Sequence, residues 1–316
     1  MNGVFFISLF LFSISSLAQN NIDREFLLDS LKNPAFENNY IYKRIVRNYY
    51  SEQNEYQFSD YYRSGAIQMK AKSTSRDGYE LKGIAISYYE SGQEQEQVYY
   101  QSGVKLGSYI SWHPNGQQKI QGEYLKNNDN ERQTGDLKIN QFWDDKGLQR
   151  VIDGIGYFKG NESETVYAEG KIKKGLRDSI WSGKDTKLKF NFVEEYQNGT
   201  LILGKSIDST GKSYTYKKIE ISPEFPGGLN SFYKYIGRNF IIPIDLENVS
   251  GKVYYGFVIN SDGNTENVKV LRSLHAKLDL VGKNLIENSP LWRPALQRGV
   301  PCNVQYFLPI SIGGSR

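Results

Sequence analysis

The chain has 316 residues, enough for two domains, each with its own core. It carries 24 Tyr, 16 Phe and 30 Gly against two His, two Met and one Cys, a mix that suits strands and turns rather than disorder or a compact helical enzyme. A net charge of +4 without a clustered Lys/Arg stripe to follow a phosphate backbone argues against nucleic acid as a partner.

Val4 to Ala18 is mostly apolar and ends in Ser16-Leu17-Ala18 before the polar Gln19-Asn20-Asn21, which reads as a signal peptide over residues 1–18 and export. An uncleaved anchor is the alternative, but the run is shorter than the roughly 20 apolar residues that cross a bilayer. Residues 19–55 read as a short helical lead, because Phe26, Leu27 and Leu31 share a helical face and Pro34 ends the pattern. Cys302 stands alone, so no disulfide forms within the chain, and a buried, inert thiol is expected.

Residues 56–215 repeat themselves. Tyr61-Tyr62-Arg63-Ser64-Gly65, Tyr88-Tyr89-Glu90-Ser91-Gly92, Tyr99-Tyr100-Gln101-Ser102-Gly103, Trp112-His113-Pro114-Asn115-Gly116, Trp143-Asp144-Asp145-Lys146-Gly147 and Tyr196-Gln197-Asn198-Gly199 each look like a strand running into a turn. The Gly supplies the positive φ of a tight hairpin, and the aromatics pack across strands. Self-similarity of this kind marks units that bury their apolar faces only against neighbours. At these residues the stretch resembles the MORN-type repeat family in its bacterial variant. That resemblance implies a single-layer antiparallel sheet of hairpins used for scaffolding, membrane or protein contact, or toxin neutralisation.

Residues 216–222 read as a linker, and the composition changes after them. Pro223-Glu224-Phe225-Pro226-Gly227-Gly228 is an arm and turn, followed by Leu229, Phe232, Tyr233, Ile236 and Phe240 at helical spacing. Val253, Tyr255, Phe257 and Ile259 alternate with polar or small residues, and Asn260 to Asn264 turns the chain back through Val268 and Val270. Asn260, Asp262 and Asn264 are read as this turn and not as a calcium loop, since Leu271 occupies the position that would need an acid. Leu274, Leu278, Val281, Leu285 and Ile286 suggest a second helix, which Gly282 weakens by about 1 kcal/mol. A last strand runs from Cys302 to Ile312 with Cys302, Val304, Tyr306, Leu308, Ile310 and Ile312 on one face. Pro309 donates nothing to a ladder, so this strand is expected to lie at a sheet edge or to bring its proline to an unpaired position.

The order helix, hairpin, helix, strand, with Gly251-Lys252-Val253-Tyr254-Tyr255-Gly256-Phe257-Val258, Asp262-Gly263, Leu278-Asp279, Pro290-Leu291-Trp292-Arg293-Pro294 and Leu308-Pro309-Ile310, resembles the TonB C-terminal domain, especially its Bacteroidetes form. The expected fold is therefore a β-rich repeat region of antiparallel hairpins, then an α+β domain over residues 223–316 with a small antiparallel sheet and two helices. The resemblance implies that an extended peptide of an outer-membrane transporter, or another envelope protein, adds to the edge of the last strand. Its contact residues would be Asn303, Val304, Gln305, Tyr306, Phe307, Leu308 and Ile310. Homodimer formation and peripheral membrane association stay open.

No catalytic, cofactor or metal constellation is legible. His113 and His275 have no partner at ligand spacing, and neighbouring acids such as Glu194-Glu195 point to opposite faces of a strand. An enzyme is not expected. The chain departs from a force-transducing TonB in lacking a long Pro-rich spacer, with hairpin repeats in its place. Two other readings remain: a repeat scaffold or antitoxin-type binder in which the last domain only tethers or dimerises, and a true energy transducer.

Overall fold

A computed structural model describes residues 23–313 apart from 31, 33, 36, 38, 39 and 128–133. The expected signal peptide over 1–18 lies outside the described residues.

Sixteen strands among the described residues form one antiparallel sheet in strict chain order. They are β1 (Arg24–Leu28), β2 (Tyr42–Val46), β3 (Tyr56–Tyr62), β4 (Ile67–Ser73), β5 (Leu81–Tyr88), β6 (Glu94–Gln101), β7 (Val104–Trp112) and β8 (Gln118–Lys126). Then follow β9 (Thr134–Trp143), β10 (Gln149–Ile152), β11 (Ile155–Asn161), β12 (Val166–Lys173), β13 (Leu176–Asp185), β14 (Phe190–Gln197), β15 (Thr200–Asp208) and β16 (Ser213–Tyr216).

The repeat motifs resolve into two kinds of turn, one at each end of the strands. Turns leaving β3, β5, β7, β9 and β15 are wide, each with a Gly amide donating to the carbonyl three residues back: Gly65 to Tyr62, Gly92 to Tyr89, Gly116 to His113, Gly147 to Asp144 and Gly211 to Asp208. Turns leaving β6, β10, β12 and β14 have two residues, both at positive φ, as in Ser102-Gly103 (49° and 79°) and Asn198-Gly199 (50° and 87°). That is the geometry whose twist matches paired strands. The Tyr99 to Gly103 and Tyr196 to Gly199 motifs thus belong to a different class from the other four.

Residues that open the wide turns also tie successive hairpins together. Tyr62 Oη donates to Tyr88 O at 2.7 Å, Tyr89 Oη donates to Trp112 O at 2.9 Å, and His113 Nε2 reaches Trp143 O at 2.9 Å. A carbonyl only accepts, so His113 carries its proton on Nε2. At the other end Gly154 N donates to Asn140 O and Gly175 N to Gly154 O, both at 2.8 Å.

One face of this sheet is apolar and, among the described residues, no second sheet or helix layer covers it, so the sheet curls over its own face. Ile139 N of β9 donates to Gly175 O in the β12–β13 turn at 2.8 Å, across two intervening strands. Inside the curl Phe142, Phe158, Trp181 and Tyr196 form a run with centroid separations of 4.5, 5.8 and 6.3 Å. Glycine on one strand makes room for a ring on the next. A Cβ on Gly170 would lie 2.3 Å from the Trp181 ring, one on Gly183 2.3 Å from Phe192, and one on Gly204 2.2 Å from Tyr216. Hence the joint wealth of Gly and aromatics.

The expected helix in the 19–55 lead is not formed: residues 24–28 are β1, paired with β2 from Arg24↔Val46 to Leu28↔Tyr42. Its apolar positions are too few to outweigh a ladder, and the Arg24 guanidinium sits over Phe26 and Tyr49 at 4.8 and 4.7 Å. Residues 216–222 are not a free linker either. Tyr216 is buried in β16, and β17 (Glu220–Ile221) pairs with β20 (Ala295–Gln297), itself paired with β21 (Val300–Cys302).

The C-terminal region adds α1 (Gly228–Asn239), β18 (Gly251–Ile259), β19 (Thr265–Arg272), α2 (Ala276–Glu287) and β22 (Val304–Ile312), with a sheet in the order β19-β18-β22. Phe232 and Ile236 of α1 and Leu278, Leu285 and Ile286 of α2 cover Val253, Tyr255, Phe257 and Ile259 of β18. Gly282 is needed where it stands: a Cβ there would lie 2.1 Å from Tyr255, whose hydroxyl donates to Leu278 O at 2.8 Å. Close helix-to-sheet approach offsets its poor helix propensity.

Two outcomes test this account. Gly170→Ala should lower unfolding free energy by about 1–3 kcal/mol in denaturant titration, because the added methyl collides with Trp181 inside a closed curl. The second concerns alkali. Burial, with smaller contributions from Tyr42 and Glu90, pushes Tyr62 up to about 12 from 10.0. Its stabilising contribution is complete below pH 10 and is lost as pH rises from 10 to 12. Melting temperature should therefore fall as pH rises from 10 to 12, with phenolate absorbance rising together with unfolding.

Candidate functional site

The site predicted from the sequence is the strand β22 and its surroundings. Antiparallel pairing with β18 is unbroken from Ile259↔Val304 to Gly251↔Ile312, and β22 ends its sheet, so its second side is an open edge. Pro309 sits within this regular ladder opposite Tyr254. A proline is accommodated there when its nitrogen faces away from the neighbour, which turns the main-chain groups of Gln305, Phe307 and Ser311 toward the open edge as well. Those of Tyr306, Leu308 and Ile310 then serve the β18 ladder.

Side chains divide the other way. Leu308 and Ile310 are buried in the core, Val304 and Tyr306 are half-buried on the same face, and Gln305 is exposed. Phe307 lies on the opposite face against Gly256, whose Cβ would come within 3.4 Å of its ring. Tyr306 closes an aromatic cluster, with centroids 5.3 Å from Phe257, 5.5 Å from Trp292 and 6.2 Å from Phe232. Beside it α1 presents Tyr233 and Leu229, which are 57% and 55% exposed. Burial pushes the Tyr306 phenol up, with a smaller contribution from Tyr233. It is a neutral hydrogen-bonding group at physiological pH.

Asn303 marks a correction. The predicted strand Cys302 to Ile312 is broken there: Cys302 belongs to β21 in a different sheet, and the Asn303 side chain accepts from Ser261 N at 2.9 Å. Apolar alternation runs on through the break, which is why the pattern alone concealed it. Cys302 is half-buried, and burial, helped by Glu220, pushes its thiol up, the opposite of an activated nucleophile.

Around the strand, the arm at Glu224 exchanges backbone hydrogen bonds with Arg293 at 3.0 and 2.8 Å and adds an Arg293–Glu224 ion pair at 2.8 Å. The Asn260 to Asn264 turn uses Asn260 Oδ1 to accept from Asp262 N and Asn264 N at 3.0 and 2.9 Å. His275 caps α2, its Nδ1 accepting from Lys277 N at 3.2 Å.

Sequence reasoning missed the polar centre of the structure. Arg298, in the two-residue turn between β20 and β21, is 2% exposed. It donates through Nε to Glu194 Oε1 at 2.8 Å and through Nη2 to Glu162 Oε2 at 3.0 Å. Glu194, fully buried, also accepts from Tyr196 and Tyr216 at 3.0 and 2.8 Å. Arg177 pairs with Glu162 at 2.5 Å and lies 3.6 Å from Glu194. Burial opposes the charge of Arg298, but Glu194 and Glu162 outweigh it and hold the guanidinium protonated. Two arginines and two glutamates balance, as a buried charge cluster requires. No local signal announces it, since its members come from distant strands.

A cavity of about 170 Å³ opens beside this cluster, between Ile139 of β9 and Trp181 of β13, with Arg177 and Tyr196 at its polar end. Arg177 is already paired there with Glu162, and Asp136 adds a carboxylate to the lining. Among the described residues no group of His, Cys, Asp and Glu is arranged to hold a metal ion, and no helix is long and apolar enough to cross a membrane.

No curated protein matches this chain. Residues 245–311, which span β18, β19, α2, the β20–β21 hairpin and nearly all of β22, match the family described as Gram-negative bacterial TonB protein C-terminal, so the open-edged α+β unit is similar to the C-terminal domain of an envelope protein.

Proposed function

We propose that the chain is a non-enzymatic, TonB-family-like protein of the periplasm that docks an outer-membrane transporter, or another envelope protein, by strand addition to β22. The observation that carries this reading is the open edge of β22 within the segment similar to TonB. An extended peptide laid antiparallel or parallel along it would pair with main-chain groups of Gln305, Phe307 and Ser311. Main-chain pairing supplies affinity without regard to sequence, whereas the neighbouring side chains supply selectivity. On one face these are Val304 and Tyr306, with Tyr233 of α1 close by, and on the other Phe307. Leu308 and Ile310 contribute by holding the strand to its core.

The repeats would be the platform on which this edge is presented, in the manner of MORN-like scaffolds. A second reading, in which the repeats bind the partner, draws on Ile180, Val193 and Leu203, which are 59%, 50% and 45% exposed on the outer face.

The two separate on one substitution. Gln305→Pro removes an edge-facing donor and blocks the approach of a partner strand while leaving the ladder to β18 intact. Full-length chain would be titrated with synthetic peptides from the periplasmic segments of the host's outer-membrane transporters. Binding should weaken at least tenfold in the variant, roughly the loss of one or two hydrogen bonds, with the melting temperature little changed. If no such peptide binds the unaltered chain, or binding survives Gln305→Pro in a folded protein, the edge is not the docking site.

A further inference from the structure

We propose that the β20–β21 hairpin is a latch: by sequence it lies inside the TonB-like segment, but by packing it belongs to the repeat sheet, and Arg298 at its tip locks the two regions into one body. The latch stands on its own geometry. Only its consequence for a docked partner rests on the strand-addition reading above.

The hairpin is foreign to the core of its own domain. No residue of 295–302 enters the cluster formed by α1, α2, β18 and β22, whereas Val300 packs into the apolar interior of the repeat sheet. Gly299 lies against Tyr214 and Tyr216 of β16, where a Cβ would already sit at 3.2 and 3.3 Å. Arg298 is held by backbone as well as side chain: its carbonyl accepts from Ser206 Oγ at 2.9 Å, and its amide donates to Ile219 O at 2.6 Å. The guanidinium lies 3.9 Å above the Phe192 ring while its edges meet Glu194 and Glu162.

This socket is specific for a planar, forked cation. A lysine has one charged point and could not serve two carboxylates and a ring face at once. Without Arg298, the buried Glu194 and the half-buried Glu162 would share Arg177 alone, so withdrawal of the hairpin leaves Glu194 poorly compensated in the interior. The latch therefore closes fully or costs heavily.

It also connects directly to β22. Asn303 is the one residue between β21 and β22, and Ser261 N pins its side chain. A pull on β22 would reach Arg298 through a few extended residues without slack.

Two measurements on the full chain test the latch without any partner. Spin labels are placed at Lys205→Cys on the repeat sheet and Lys283→Cys on α2, both exposed, with Cys302→Ser throughout. The parent should give one narrow distance. A variant combining Arg298→Met and Glu162→Gln, which removes the latch and leaves Glu194 paired with Arg177, should give a broad distribution with both regions folded. A folded variant that keeps the narrow distance overturns the proposal.

Hydrogen exchange on the unaltered chain in graded denaturant covers the case in which that variant does not fold. The amides of Arg298 and Val300 should open together with those of Phe192 and Ser206. If they open instead with Tyr255 and Leu308, the hairpin belongs to the TonB-like domain and the latch is wrong. Neither readout depends on transporter peptides, so failure of docking and failure of the latch remain separate results.

Discussion

A sheet with one apolar face and no covering layer has to bury that face with itself, and most features of this chain follow from that constraint. A flat meander of sixteen strands would leave its aromatics in water. Curvature brings β9 onto the β12–β13 turn, and glycines at the crowded positions let rings lie flat on the neighbouring strand. The wide turns at one end and the narrow turns at the other are what a tightly wound hairpin array needs to keep its twist. Buried and half-buried tyrosine hydroxyls find their partners in carbonyls and in Glu194.

The C-terminal unit solves the same burial problem in the ordinary way, with two helices on one face of a three-stranded sheet. Its remaining strand edge is consequently left over rather than used up. Such an edge is normally blunted, and here Pro309 does part of that work. What makes the molecule more than two units in a row is the hairpin between Trp292 and Asn303, which leaves its domain to complete the interior of the other one.

Local chemistry decided what could be read from residues alone. Gly65, Gly92, Gly116 and Gly147 announce turns because a positive φ near 80–90° favours glycine wherever the strands later go. Pro309 announces an edge for a similarly local reason. By contrast, the pairing of Trp181 with Gly170, or of Arg298 with Glu194 across 104 positions, depends on which strands become neighbours, and no short window contains both partners. Arg24 to Leu28 was misjudged because a five-residue segment takes its conformation from the ladder it joins, here β2. The break at Asn303 is hidden because both strands it separates keep the same alternation.

Pro309 has a further consequence for whatever lies along β22. An edge with an uninterrupted row of donors would accept a guest slid by two residues almost as readily as one in place. The gap at residue 309 acts as a key: a guest carbonyl set opposite it goes unanswered, so each shift of the guest changes how many of its groups are satisfied. The strand can thus distinguish alignments of one and the same peptide, and it is poorly suited to stacking copies of itself into an endless ribbon.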